Sequence, residues 1–360
     1  MNARTRLLNS LFGLLLALAG ASLLLGLYTG LIRLGVILPE FFDLGAMSHG
    51  PLMINGFLAT LISLERGAAL EKLWTYLAPI SFAISTVLMM TGFYTIGGFL
   101  LILGSVFLVA IMIYLCTIQT VNYHLIMATA AVSLLIGNML FLFHTPVFEL
   151  IGWWIAFPLL TIFGERLELN RIMRPPKKAV NLFTFLILTW TISLAGVHLY
   201  REIFWMIGSI LLIAISIWLI RYDVARRTIK MANWTKYSAW SLLTGYGWGI
   251  VGGLLGLIYG LPRAGVIYNA ILHIYFVGFV FSMIFAHAAV IIPALTGRTV
   301  PYSRYFYLPL ILLHGCLILR IAGDLFFWDM LRKIGSYGNV AAILLFLGGI
   351  VIQLIRSRNE

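Results

Sequence analysis

Apolar stretches of membrane-spanning length follow one another along almost the whole chain, separated by short breaks of charge, proline or glycine. About 20 apolar residues in a helix cross the hydrocarbon of a bilayer. Cut at the breaks, the pattern predicts helices over residues 7–37, 49–66, 73–95, 97–119, 123–144, 148–165, 179–199, 203–220, 237–259, 265–296, 305–327 and 338–355. Two breaks are tight turns, one at Gly97-Gly98 and one at Tyr200-Arg201-Glu202. The runs are continuously apolar rather than alternating, which predicts helices and not a barrel. Residues 1–360 then form a single polytopic domain of twelve spans, with no soluble domain inserted.

Composition excludes other classes. Hydrophobic residues make up 62% of the 360 and charged residues 10%, too few charges to cover a water-facing surface. Disorder, a disulfide scaffold and a coiled coil are excluded on the same grounds. Cys116 and Cys316 lie inside apolar runs and read as small packing residues. The first run is too long for the core of a cleavable signal. The net charge of +12 does not point to nucleic acid. With the N-terminus inside and twelve spans, eighteen of the 24 Lys and Arg fall on the inner side and six on the outer. That is the positive-inside bias, and it places both termini in the cytoplasm. The partner is the lipid bilayer, and the location expected is a bacterial inner membrane.

Candidate chemistry rests on the polar groups inside the spans, because such groups are costly in lipid. Gly245, Gly249 and Gly253 in span 9 mark a close-packing helix face. Glu65-Arg66 and Glu165-Arg166 close spans 2 and 6, and Arg298 closes span 10, a spacing that suits three four-helix units. Of the seven histidines, His124, His144 and His198 stand at helix ends and read as interfacial. No zinc-hydrolase, c-type haem or phosphate-loop motif is present. His49 opens span 2 and His273 lies about two turns into span 10, both toward the outer side. Two neutral imidazoles on two helices can ligate a haem iron between them. Gly56 and Gly278 mark places where a macrocycle could approach the backbone, and Arg320 and Arg33 are at a depth suited to haem propionates. Asp324, one turn from Arg320, offers a helix ion pair as the competing role. His287, fourteen residues after His273, falls about 40° away on an ideal helix and about 21 Å along it, a spacing for a second haem or metal. His314 is mid-membrane in span 11 and equally open.

These residues resemble a known superfamily. His49-Gly50-x-x-Met53 resembles the span-2 motif of haem–copper oxidase subunit I, whose histidine is an axial ligand of the low-spin haem. In span 10, Pro293-Ala294-Leu295-Thr296-Gly297 follows His273 at the offset that the family's Pro-x-x-Thr-Gly keeps from the second histidine of a His-x-His pair. The resemblance implies a subunit I-like bundle and makes His49 and His273 the axial ligands of one low-spin b haem. Ile271 stands where the high-spin haem ligand would be, span 6 has no histidine, and span 7 has only His198. Copper and oxygen reduction are therefore not expected. The chain looks closest to the short, divergent branch that includes the NnrS proteins, haem-containing membrane proteins associated with nitric oxide metabolism. That implies electron transfer or nitric oxide handling as a haem-dependent oxidoreductase, with quinol or a cytochrome as donor.

Two other readings fit a twelve-span chain. One is a proton-coupled secondary transporter using His314 and His287. Against it, every acid lies at a predicted helix end or loop. The other is a structural subunit that keeps the oxidase fold without a cofactor. A reduced-minus-oxidised haem spectrum separates both from the haem reading.

Overall fold

The computed structural model describes residues 3–39 and 45–359. Every regular element among them is helical. In chain order the long helices are α1 (Ala3–Arg33), α2 (three successive pieces, His49–Pro51, Leu52–Ala59 and Thr60–Leu70), α3 (Leu77–Met90), α4 (Tyr94–Ile118), α5 (Asn122–Leu142) and α6 (Val147–Leu169). They continue as α7 (Lys177–Gly196), α8 (Arg201–Tyr222), α9 (Asn233–Tyr259), α10 (Val266–His273, Ile274–Phe281 and Ser282–Thr296), α11 (Tyr307–Leu325) and α12 (Asp329–Asn359). Eleven of these, all but α2 and with α3 counted from Leu73, are long and apolar enough to cross a membrane. Large apolar side chains such as Ile113, Ile203 and Ile217 are exposed, as a lipid-facing surface requires. The protein is a multi-pass helical membrane protein.

The helix ends follow the sequence pattern with several corrections. The last helix starts at Asp329 rather than at residue 338, and Arg201 and Glu202 open α8 instead of lying in the turn before it. The turn between α3 and α4 is at Thr91-Gly92-Phe93, where Gly92 takes φ +86°. Gly97 and Gly98 lie inside α4 instead. A side chain at Gly97 would collide with Met89 and with the Ser85 carbonyl, so this glycine brings α4 onto α3. The first helix stops at Arg33 and turns at Gly35, φ +89°, short of residue 37.

The centres of α2 and α10 are π-helical, over Leu52–Ala59 and Ile274–Phe281. At the end of the first, the Thr60 N–H reaches the Asn55 carbonyl, five residues back. Such i→i+5 segments are rare and are frequent at functional sites.

Contacts divide the chain into two compact units, Met1–Pro158 and Leu159–Glu360. In the first, α1 packs on α2, α3 on α4 and α4 on α5. In the second, α8 packs on α7 and α9, α9 on α10, and α11 on α12. The glycines of α9 serve two faces. Gly249, Gly253 and Gly256 meet Ser216, Ser209 and Trp205 of α8, whereas Gly245 and Gly252 meet Met283 and Tyr275 of α10. Small residues permit this close approach in lipid, where helix association relies on packing. Cys116 and Cys316 are free thiols.

Candidate functional site

In the first unit, His49 begins α2 and packs on the glycine face of α1. A side chain at Gly30 would strike its imidazole, and one at Gly26 would strike Met53. The His49 Nδ1 lies 2.7 Å from the Gly26 carbonyl oxygen. A carbonyl only accepts, so Nδ1 carries the proton and Nε2 the lone pair. Arg33 is one turn beyond Gly30 on α1, on the face that meets His49.

The helix behind His49 is held by a buried polar network. Asn138 Nδ2 donates to Asn55 Oδ1 (2.8 Å) and to Ser105 Oγ (2.9 Å), and Trp154 Nε1 donates to Asn138 Oδ1 (3.1 Å). Asn55 sits inside the π-helical run of α2, so the network ties that run to α4, α5 and α6. Polar groups in a membrane interior must find partners within the protein. Gly56 has a different role from the one expected. Ser22 of α1 and Thr86 of α3 fill the space beside it, leaving no clearance there for a macrocycle.

In the second unit, His273 ends the first piece of α10. Its Nδ1 lies 2.7 Å from the Asn269 carbonyl oxygen, which fixes the same tautomer as in His49. The Asn269 side chain joins two charged groups of α11. Arg320 Nη2 donates to Asn269 Oδ1 (3.3 Å), and Asn269 Nδ2 donates to Asp324 Oδ2 (3.2 Å). His273 and Arg320 are thus brought together through one asparagine. Asp324 is fully buried, so it draws on the same set of donors. Gly278, like Gly56, is closed off, with Trp248 and Leu317 against it.

The offset of about 40° expected between His273 and His287 assumes an unbroken α-helix. An ideal helix turns 100° per residue, but the π-helical run between them turns less per step. His287 belongs to a different cluster. Its Nδ1 lies 2.7 Å from the Met283 carbonyl and its Nε2 lies 3.0 Å from Arg166 Nη1, so its lone pair faces a guanidinium rather than an iron. Arg166 makes a bidentate pair with Asp223, Nε to Oδ2 at 2.8 Å and Nη2 to Oδ1 at 3.2 Å. Tyr246 Oη donates to Asp223 Oδ2 (2.9 Å), and the Ala225 N–H to Oδ1 (2.7 Å). Arg166, Asp223 and Tyr246 are all buried.

A family model described as a domain of unknown function, DUF8744, matches residues 12–355. The chain belongs to the DUF8744 family. No curated protein and no solved structure matches it.

The remaining histidines of this DUF8744 chain sort by their neighbours. His314 accepts from Trp248 Nε1 at Nδ1 (3.0 Å), which leaves Nε2–H to donate to Thr244 Oγ1 (3.0 Å). Both ring nitrogens are engaged in tying α11 to α9. His124 lies in the first turn of α5, His144 just beyond its end at φ +59°, and His198 in the turn after α7. Among the described residues no three His, Cys, Asp or Glu side chains gather as a metal set.

Sequence reasoning missed Asp223, Asn138 and Asn269. Asp223 falls in a loop on the hydropathy pattern, yet it and Asp324 are buried at helix ends. The available signal was weak. Asn138 is a lone amide in an apolar run, and Asp223 meets an arginine 57 residues away in the chain.

Proposed function

We propose that this DUF8744 protein is a twelve-span, b-type haem protein of a bacterial cytoplasmic membrane, built as a subunit I-like bundle with α2 as the twelfth span. In this reading His49 and His273 are the axial ligands of one low-spin haem, and Arg33 and Arg320 hold its propionates. The supporting observation is the geometry the two histidines share. Each imidazole is fixed through Nδ1 on a backbone carbonyl, which puts the lone pair on Nε2, and each lies within three residues ahead of a π-helical run. A hydrogen bond at the other ring nitrogen is the usual means of orienting a metal-binding histidine. Bound there, the haem would supply one-electron redox chemistry, for electron transfer from a quinol or cytochrome or for handling nitric oxide. Ile271, fully buried, offers iron no ligand, so the proposal contains no haem–copper centre.

The experiment is a reduced-minus-oxidised spectrum of the purified chain. A low-spin b-type spectrum is expected, lost or converted to five-coordinate in His49→Ala and in His273→Ala, and unchanged in His124→Ala and His198→Ala. An unchanged low-spin spectrum in both ligand variants would end the assignment.

A second reading, a proton-coupled transporter, draws on Asp324. Its Oδ1 is buried and has no hydrogen-bond partner among the described residues, and a buried acid can carry protons. A colourless preparation that moves protons with a solute would favour it.

A further inference from the structure

The second unit contains a cavity of about 440 Å³ where the chain leaves α6 and α8. Five cations line it, Arg174, Arg221, Arg226, Arg227 and Lys230, against one carboxylate, Asp223. That carboxylate does not balance them. Both its oxygens are taken up by Arg166, Tyr246 and the Ala225 N–H. The five cations are exposed, and none has an acidic partner among the described residues.

The backbone that carries them is fixed. Arg174 is held in the left-handed region at φ +47° and is followed by Pro175-Pro176, whose rings set φ. Arg226 and Arg227 ride on a one-turn helix, Ala225–Thr228. Asp223 caps the Ala225 N–H, and Asn170 Oδ1 accepts from the Val224 N–H (3.0 Å). The buried Arg166–Asp223 pair therefore anchors the loop that presents the cations. A positive-inside bias explains basic residues on this face. It does not explain why they are mounted around a hollow.

We propose that this cavity binds a phosphate-bearing anion. Guanidinium forks match phosphate oxygens two at a time, and several forks around one hollow suit a polyanion better than a single carboxylate. Phosphate could come from an anionic phospholipid headgroup or from a soluble diphosphate, and basic pockets on the cytoplasmic side of membrane bundles take such headgroups. The proposal is independent of the haem reading.

The test uses the full chain purified in neutral detergent, with pyrophosphate, cardiolipin and phosphatidylcholine as probes. Apparent affinity is read from the shift in melting temperature, and retained lipid by native mass spectrometry. Cardiolipin, pyrophosphate or both are expected to bind, and Arg226→Gln/Arg227→Gln to weaken that binding by about tenfold or more. Lys177→Gln/Lys178→Gln removes the same charge nearby, at the start of α7 and outside the cavity lining. It should change binding by less than about twofold. Arg174→Gln leaves the one-turn helix intact and gives the same test should the double variant fail to fold. Binding of cardiolipin alone identifies a headgroup site, and binding of pyrophosphate alone a soluble-ligand site. The proposal is overturned if neither binds, if phosphatidylcholine binds as well, or if the lysine variant weakens binding as much as the arginine variant.

Discussion

Asp223 shows how much rests on single polar residues in this protein. It accepts from Arg166, Tyr246 and a backbone N–H at the end of α8. Removing one member of a buried ion pair leaves the other charged and unpaired, at a cost of about 3–5 kcal/mol. Asp223→Ala and Arg166→Met should each lower the melting temperature sharply. The double variant Arg166→Met/Asp223→Leu should be less destabilised than the sum of the two, because it removes both charges together. Additive losses in thermal unfolding would mean that the pair does not act as a unit. The histidines divide on the same principle. His49 and His273 have Nδ1 fixed on a backbone carbonyl, and His314 is held by the side chains of Trp248 and Thr244. Sequence showed that all seven were present. It could not show which ring nitrogen each would offer, because that depends on a carbonyl or an indole brought close by folding.

At the level of elements, glycine decides how closely helices approach. A side chain at Gly253 would lie 2.8 Å from the Ser209 carbonyl oxygen, a backbone atom that cannot step aside. Gly247, on the same helix, has nothing within 4 Å. Gly253→Ala should therefore force α9 off α8 and cost about 1–3 kcal/mol, while Gly247→Ala should be neutral or slightly stabilising. Melting curves of the two variants in one detergent make the comparison, and equal effects would contradict it. The same property explains what could be read in advance. Run length located the helices, since an apolar stretch of that size has few other fates. The α3–α4 turn was misplaced because Gly97-Gly98 looks like a break but serves as a contact, while Gly92 makes the turn. The π-helical runs were hidden for a related reason. Asn55 apart, their residues are apolar or aromatic on every face, so no periodicity records a change in winding.

For the whole molecule, orientation is the next quantity to measure. Eighteen of the 24 Lys and Arg fall on one side of a twelve-span arrangement, and the cavity cations belong to that set. Reporter fusions at the N- and C-termini should both score cytoplasmic. A C-terminal reporter outside the cell would reduce the spans to an odd number, with α2 the first to be removed, and would place the basic cavity on the wrong side for a cytoplasmic ligand. The winding of α2 and α10 has an evolutionary side as well. In an uninterrupted α-helix, inserting or deleting one residue rotates everything beyond it by about 100° and ruins every contact downstream. A π-helical run is the form in which a helix stores such an extra residue locally. A one-residue insertion or deletion within Leu52–Ala59 or Ile274–Phe281 is therefore expected to destabilise the protein less than one in the unbroken helix α4, with melting temperature as the measure.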